Sequence, residues 1–269
     1  MSIFRAIILG IVQGATEFLP VSSSGHLVIF PAIFRWPEPT LSFSISLHMG
    51  TFLAVLIYYF KDVVNLIKGF FAMFKKFRTP EEMLYLKLFW LLVIAFTPTA
   101  LLGIFLKNEI EISFSSPRIV SYFFFFTALI LFMASFDFNK YAKSMQKASF
   151  RNAIIVGLMQ IFALFPGISR SGMTISGGVF SGLKREDAAR FSFLLSIPTI
   201  LGAGIFELKD ALNVSVSHVT GIEIFWGFLF SFIVGIISIR FFFSLVRKTK
   251  FYVFAFYCVI IGFVGLLFA

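Results

Sequence analysis

The chain has 269 residues, of which 59% are hydrophobic and 13% charged, with a mean hydropathy of +0.95 and a formal net charge of +10. Soluble domains carry about a quarter charged residues, so a water-soluble globular fold is excluded and the bilayer is the relevant solvent. Short alternating segments between turn signals are missing, which argues against an outer-membrane barrel and leaves helices to satisfy the backbone in lipid.

Residues 1–40 form an apolar run broken by F-L-P-V-S-S-S-G-H. Gln13 and Glu17 lie in its first part, so it lacks a signal-peptide pattern and is read as retained. Full spans are predicted at about 41–60, 84–106, 118–136, 190–206, 222–246 and 251–269. The 61–87 connection holds Lys61, Lys68, Lys75, Lys76, Arg78 and Lys87. The 137–151 connection holds Lys140, Lys143, Lys147 and Arg151, and 240–250 holds Arg240, Arg247, Lys248 and Lys250. By contrast, 107–118 sets Glu109 and Glu111 against Lys107 and Arg118, and 207–223 sets Glu207, Asp210 and Glu223 against Lys209. Lys/Arg-rich loops stay in the cytoplasm, which puts the first three connections inside and the last two outside. The positive charge thus reads as topology signal and headgroup contact, with no nucleic-acid partner. Cys258 is the single cysteine, so no disulfide forms within one chain.

Alternation of sides has a consequence for residues 152–183, which must enter from the cytoplasm and leave on the same side. They are either two full spans or a re-entrant loop, and their middle, F-P-G-I-S-R-S-G-M-T, cannot be a continuous lipid-facing helix. Residues 1–40 must end outside, and if re-entrant they enter from there. Each half, about 1–136 and 137–269, then holds one re-entrant hairpin and three spans in opposite orientations. Gln13 aligns with Gln160, Pro20 with Pro166 at one offset, and Ser24-Gly25 with Ser171-Gly172. The expected fold is an all-α polytopic membrane protein. It is a single membrane domain, 1–269, built as an inverted-topology repeat of six full spans plus two re-entrant helical hairpins.

Ionisable groups at membrane depth are costly and point to function, which singles out Glu17, His26 and Arg170. Gln13 and Glu17 are one turn apart on a helix, and a carboxylate beside an amide oxygen suits a hard divalent cation, Mg²⁺ or Ca²⁺. Ser22, Ser23 and Ser24 beside Gly25 offer hydroxyls and backbone N–H groups to phosphate oxygens. His26 is suited to act as base, acid or nucleophile. Ser169, Arg170, Ser171 and Thr174 follow Pro166-Gly167, and a guanidinium among hydroxyls clamps oxyanions. A hydroxyl, an imidazole, a carboxylate with an amide partner and a cationic clamp together match phosphate-ester hydrolysis.

The stretches Q-G-A-T-E-F-L-P-V-S-S-S-G-H and P-G-I-S-R-S-G-M-T resemble the two signature regions of the bacterial undecaprenyl-diphosphate phosphatases, the bacitracin-resistance family. R-E-D-A-A-R-F-S-F-L-L-S-I-P at 185–198 is similar to that family too, and the likeness extends over the whole chain. The resemblance implies hydrolysis of undecaprenyl diphosphate to the monophosphate and inorganic phosphate, with a divalent metal. It also implies a multi-pass protein of the bacterial plasma membrane whose site opens to the extracytoplasmic side. Carried over by position, it makes Glu17, Ser23, His26 and Arg170 catalytic, with Ser23 or His26 as nucleophile or with His26 activating the attacker. Ser22, Ser24, Ser169, Ser171 and Thr174 bind substrate, and Glu17 with Gln13 hold the metal. Gln13 departs from the family, many of whose members have glutamate there. His48 is read as structural. The expected partners are a polyprenyl diphosphate and membrane lipid, with a homodimer as the candidate assembly. The rival reading is a lipid-phosphate transporter or flippase built on the same inverted-repeat cavity.

Overall fold

A computed structural model describes residues 1–136, 142–213, 220–246 and 251–268, with side chains outside 207–213. The basic and acidic positions expected at Lys140, Glu207, Lys209, Asp210, Arg247, Lys248 and Lys250 lie outside the described residues or side chains. In chain order the helices are α1 Ile3–Thr16, α2 Ser23–Phe34, α3 Leu41–Tyr58, α4 Phe60–Ala72, α5 Pro80–Phe105 and α6 Lys107–Phe114. They continue as α7 Pro117–Ala134, α8 Phe150–Phe162, α9 Arg170–Phe180, α10 Arg185–Asn213, α11 Gly221–Val246 and α12 Tyr252–Phe268. No strand occurs among the described residues, so the all-α expectation holds.

Among the described residues, five helices are long and apolar enough to cross a bilayer: α3, α5, α7, the Arg185–Phe206 part of α10, and α11. Helix α12, at 17 residues, falls just under that length and matches the sixth span expected at 251–269. The outward surfaces of these helices carry Phe105, Leu129, Ile205, Ile237 and Phe263, which suits contact with acyl chains.

Helices α1, α2, α8 and α9 are different. With 14, 12, 13 and 11 residues at about 1.5 Å each, they rise roughly 17–21 Å, short of the ~30 Å hydrocarbon core. They form two pairs whose connectors fall at the sequence breaks, residues 17–22 and 163–169. Short paired helices joined by irregular backbone thus stand at both sequence breaks.

Packing places these pairs. Helix α1 sets Gly10 and Gly14 against Gly227, Ser231 and Gly235 of α11, while α8 sets Gly157 against Ala95 of α5. Small residues let helix backbones approach where no hydrophobic drive separates protein from lipid. Helix α3 lies on α10, and α7 on α12. Exchanging α1, α3, α5 and α7 for α8, α10, α11 and α12 carries each of these four pairs onto another or onto itself.

Two elements depart from the expected loops. The basic 61–87 connection contains α4, with Lys61 and Lys68 beside the exposed Phe60, Ile67 and Phe71. A basic helix with an apolar face suits the headgroup boundary, and its charges had masked its helical period. Helix α5 starts at Pro80, ahead of the expected residue 84, because Thr79 and Glu82 form a reciprocal cap around a proline already set for the first turn.

Gly25, in the first turn of α2, sits where the hairpins touch. A Cβ there would stand 2.7 Å from the Phe124 ring and 2.8 Å from Gly167 Cα. The ring has some room to move, but the facing backbone does not. Gly25→Ala is therefore expected to destabilise by about 1–3 kcal/mol. Thermal melting in detergent checks this.

Candidate active site

The connector after α1 and the start of α9 meet at Glu17. Glu17 is buried and caps the end of α1, one turn from Gln13, whose Nε2 donates to Glu17 Oε2 at 2.9 Å. Ser23 Oγ donates to the same oxygen at 2.6 Å. Arg170 Nη2 donates to the other oxygen, Oε1, at 2.8 Å, and Arg170 Nη1 reaches Ser192 O at 3.3 Å. One carboxylate thus holds a hydroxyl on one side and a guanidinium on the other, with the guanidinium coming from the opposite half of the chain.

The backbone around them is stitched across the two connectors. Ser22 caps α2, with Oγ accepting from Gly25 N at 3.3 Å and from Gly167 N at 3.1 Å. Its backbone takes φ 66°, a region a non-glycine residue seldom occupies, and Gly167 opposite has φ 94°. Strain of this kind persists only where surrounding contacts fix it, as those two amides do. Ser169 caps α9 by accepting from Gly172 N at 3.0 Å, and Ser171 Oγ donates to Leu19 O in the first connector at 2.9 Å. Thr127 of α7 holds the second connector, donating to Gly167 O at 2.9 Å and accepting from Ser169 N at 3.1 Å. Thr174 donates to Arg170 O at 2.8 Å and lies 2.6 Å from Ser192 Oγ. Two helix N-termini, those of α2 and α9, therefore open onto the same place beside a guanidinium. Helix dipoles at these ends favour an anion there.

Of the residues expected at the site, the structure brings Gln13, Glu17, Ser23 and Arg170 into direct contact. Ser22, Ser169, Ser171 and Thr174 spend their hydroxyls on backbone and caps, and Ser24, half-buried, lies 3.4 Å from Ser22 Oγ. His26 stands apart from the carboxylate. Its Nδ1 is 2.7 Å from Ser22 O and its Nε2 is 2.8 Å from Tyr257 Oη. The rings of Phe124 and Tyr257 enclose it at centroid distances of 5.2 and 5.7 Å. His48 donates its Nδ1 proton to Ser44 O at 2.9 Å, an intrahelical bond that suits the structural reading. Sequence reasoning missed Thr127, Ser192 and Tyr257. Ser192 sat in the F-S-F of the 185–198 stretch, whereas an isolated threonine in α7 or tyrosine in α12 carries no signal beyond ordinary span composition.

The donor set bears on a divalent cation. Among the described residues no three His, Cys, Asp or Glu side chains cluster to cage a metal. Gln13 Oε1, however, is buried without any partner, and the amide cannot be turned over without setting that oxygen against the Glu17 carboxylate. An orphaned acceptor beside one carboxylate fits Mg²⁺, which is commonly held by one or two carboxylates together with substrate phosphates and waters.

Residues 6–264 match the family model of the bacitracin resistance protein BacA. A curated undecaprenyl-diphosphatase from Methanosphaera stadtmanae is 41% identical over 280 residues, covering 99% of this chain and 98% of its own length. Undecaprenyl-diphosphatase 1 of Shouchella clausii is 41% identical over 266 residues, covering 97% and 95% of the two chains. The undecaprenyl-diphosphatase of Geotalea daltonii is 38% identical over 270 residues, covering 100% and 98%. Matched end to end, with its two interrupted hairpins joined at Glu17 and Arg170, the chain belongs to the bacitracin resistance protein BacA family.

Proposed function

We propose that this protein is a membrane phosphatase that hydrolyses undecaprenyl diphosphate to undecaprenyl phosphate and inorganic phosphate, recycling the lipid carrier of cell-wall synthesis. One observation carries the reading: the Ser23 hydroxyl donates to a buried carboxylate whose other oxygen is held by Arg170. A carrier of anionic lipid needs the guanidinium and the helix ends but has no use for a hydroxyl poised on a base. Names of relatives point the same way.

The site supports a two-step displacement. The diphosphate enters between the N-termini of α2 and α9 and draws the Arg170 guanidinium onto its oxygens. Glu17, released from its counter-ion, takes the Ser23 proton as Ser23 Oγ bonds to the terminal phosphorus. The bond from that phosphorus to the bridging oxygen breaks, and prenyl monophosphate leaves with the electron pair. Water then attacks the phosphoserine, Glu17 returns its proton to Ser23 Oγ, and inorganic phosphate departs. Gln13 and Glu17 would hold a divalent cation, which when bound supplies charge neutralisation for the diphosphate. Ser23 is preferred over His26 as nucleophile because it alone touches the base, while Nε2 of His26 is covered by Tyr257. The halves are read as inverted repeats and the site as opening to the extracytoplasmic face of the plasma membrane, where the charge pattern puts the end of the first hairpin.

The direct test is phosphate release by purified protein in detergent, where no gradient exists, from C15 and C55 prenyl diphosphates with and without chelator. Release of one phosphate per substrate, lost with chelator and restored by Mg²⁺ or Ca²⁺, is expected. Intact diphosphate after many equivalents of enzyme-time would sink the phosphatase reading and revive the carrier.

A further inference from the structure

The pairing of His26 with the last helix extends the site beyond the two hairpins. His26 lies in the first turn of α2, 1% exposed, three residues and thus one helical turn after Ser23. Its Nδ1 faces only the Ser22 carbonyl oxygen, which accepts and never donates, so Nδ1 carries the proton. Around a neutral ring that leaves a lone pair on Nε2, and the group facing it at 2.8 Å is the Tyr257 hydroxyl, which must donate. The two rings lie nearly parallel, 11° apart, and Phe124 closes another side edge-on at 83°. Among the described residues no carboxylate hydrogen-bonds to the ring. Tyr257 comes from α12, 231 residues along the chain, and the next residue, Cys258, directs Sγ to Pro20 O of the first connector at 3.8 Å. Helix α12 is thus docked on the hairpin at this point by two consecutive side chains.

We propose that Tyr257 is a positioning residue of the active site, fixing the ring and tautomer of His26 so that its Nε2 meets the reaction as an acceptor. The inference rests on the phosphatase reading and assigns His26 a task distinct from nucleophilic attack. In the second step the attacking water must lose a proton, and the Nε2 lone pair one turn from Ser23, held at rest by the Tyr257 hydroxyl, takes it as that hydroxyl turns its proton aside. The bookkeeping then closes. Water bonds to phosphorus and its proton goes to Nε2, the bond from phosphorus to Ser23 Oγ breaks, Oγ recovers its proton from Glu17, and Nε2 gives its proton to the departing phosphate, which restores the neutral ring. A tyrosine also suits the place for what it lacks: a permanent cation would compete with Arg170 for the phosphate, and a carboxylate would repel it.

The test compares wild type, Tyr257→Phe, His26→Ala and the double variant in phosphate release from a C15 prenyl diphosphate. It is combined with ¹⁵N spectra of imidazole-labelled protein, in which the signal lost in His26→Ala identifies His26 among the three histidines. Tyr257→Phe keeps the ring and its stacking, and is expected to lower kcat about 10–100-fold, within the range of a misplaced general base, with KM within about twofold. His26→Ala is expected to absorb that loss, so that the double variant is no slower than His26→Ala alone. The spectrum should show His26 protonated at Nδ1 with a hydrogen-bonded, unprotonated Nε2, which shifts in Tyr257→Phe. Wild-type kcat in Tyr257→Phe overturns the proposal, as do a change confined to KM, losses that multiply in the double variant, or a proton on Nε2 in the wild type. The tautomer is read without turnover, so a wild type that releases no phosphate defeats the phosphatase reading while the spectrum still judges the pairing.

Discussion

Ser23→Ala is expected to reduce kcat by at least ~10³-fold, because it removes the attacking oxygen and leaves only binding and charge stabilisation behind. Stability should change little, within about 1 kcal/mol, since one hydrogen bond is lost and Glu17 Oε2 still accepts from Gln13 Nε2. The combination of intact fold and absent turnover is what separates a nucleophile from a scaffold residue. Rapid acid quench of wild type on substrate labelled in the terminal phosphate should trap acid-stable phosphoserine at Ser23. Acid-labile phosphohistidine at His26, or a Ser23→Ala enzyme retaining a tenth of wild-type kcat, would reverse the assignment of roles.

Arg170 carries the second large effect, and there stability and activity fall together. Its side chain is 12% exposed and that of Glu17 7%, so Arg170→Ala strands a carboxylate in a low-dielectric interior. Breaking a buried pair from one side costs about 3–5 kcal/mol, and loss of the phosphate clamp should take about 10²–10³ from kcat/KM. Adding Glu17→Gln in the same protein should restore most of the melting temperature, since neither charge is then orphaned, while activity stays absent. Arg170→Lys should recover stability in part and activity little. A single ammonium cannot span Glu17 Oε1 and Ser192 O as the two guanidinium nitrogens do. Melting curves and phosphate release on the four proteins decide the matter, and a double variant as unstable as Arg170→Ala would mean that Arg170 holds the fold through other contacts.

Much of this was legible in the residues. Apolar runs located the spans, and the two Pro/Gly/Ser breaks stood out because lipid forbids irregular backbone unless protein encloses it. Glu17, His26 and Arg170 stood out as ionisable groups at membrane depth, and of these the structure joins Glu17 directly to Arg170. What stayed hidden was contact between distant segments. Nothing in the sequence says that Ser22 Oγ serves Gly167 N, which turns a presumed phosphate ligand into the seam between hairpins. Nothing in the apolar run of α12 distinguishes Tyr257 from its aromatic neighbours, because a side chain's partner across 231 residues is a property of packing. Helix α4 was missed for a local reason: its lysines satisfied the loop reading before its period was weighed.

The Glu17–Arg170 pair, 153 residues apart, also sets an order of events at the ribosome. At about 5–20 residues per second, roughly 10–30 s pass between synthesis of the acid and synthesis of its counter-ion. During that interval the nascent first hairpin holds a carboxylate with no cation to meet it, and Ser22 has no Gly167 amide to hold its strained backbone. The first half is therefore an unfinished fold until the second is made. Chains truncated before residue 167 should be cleared in the cell, whereas the two halves co-expressed as separate polypeptides have what they need to complete one another.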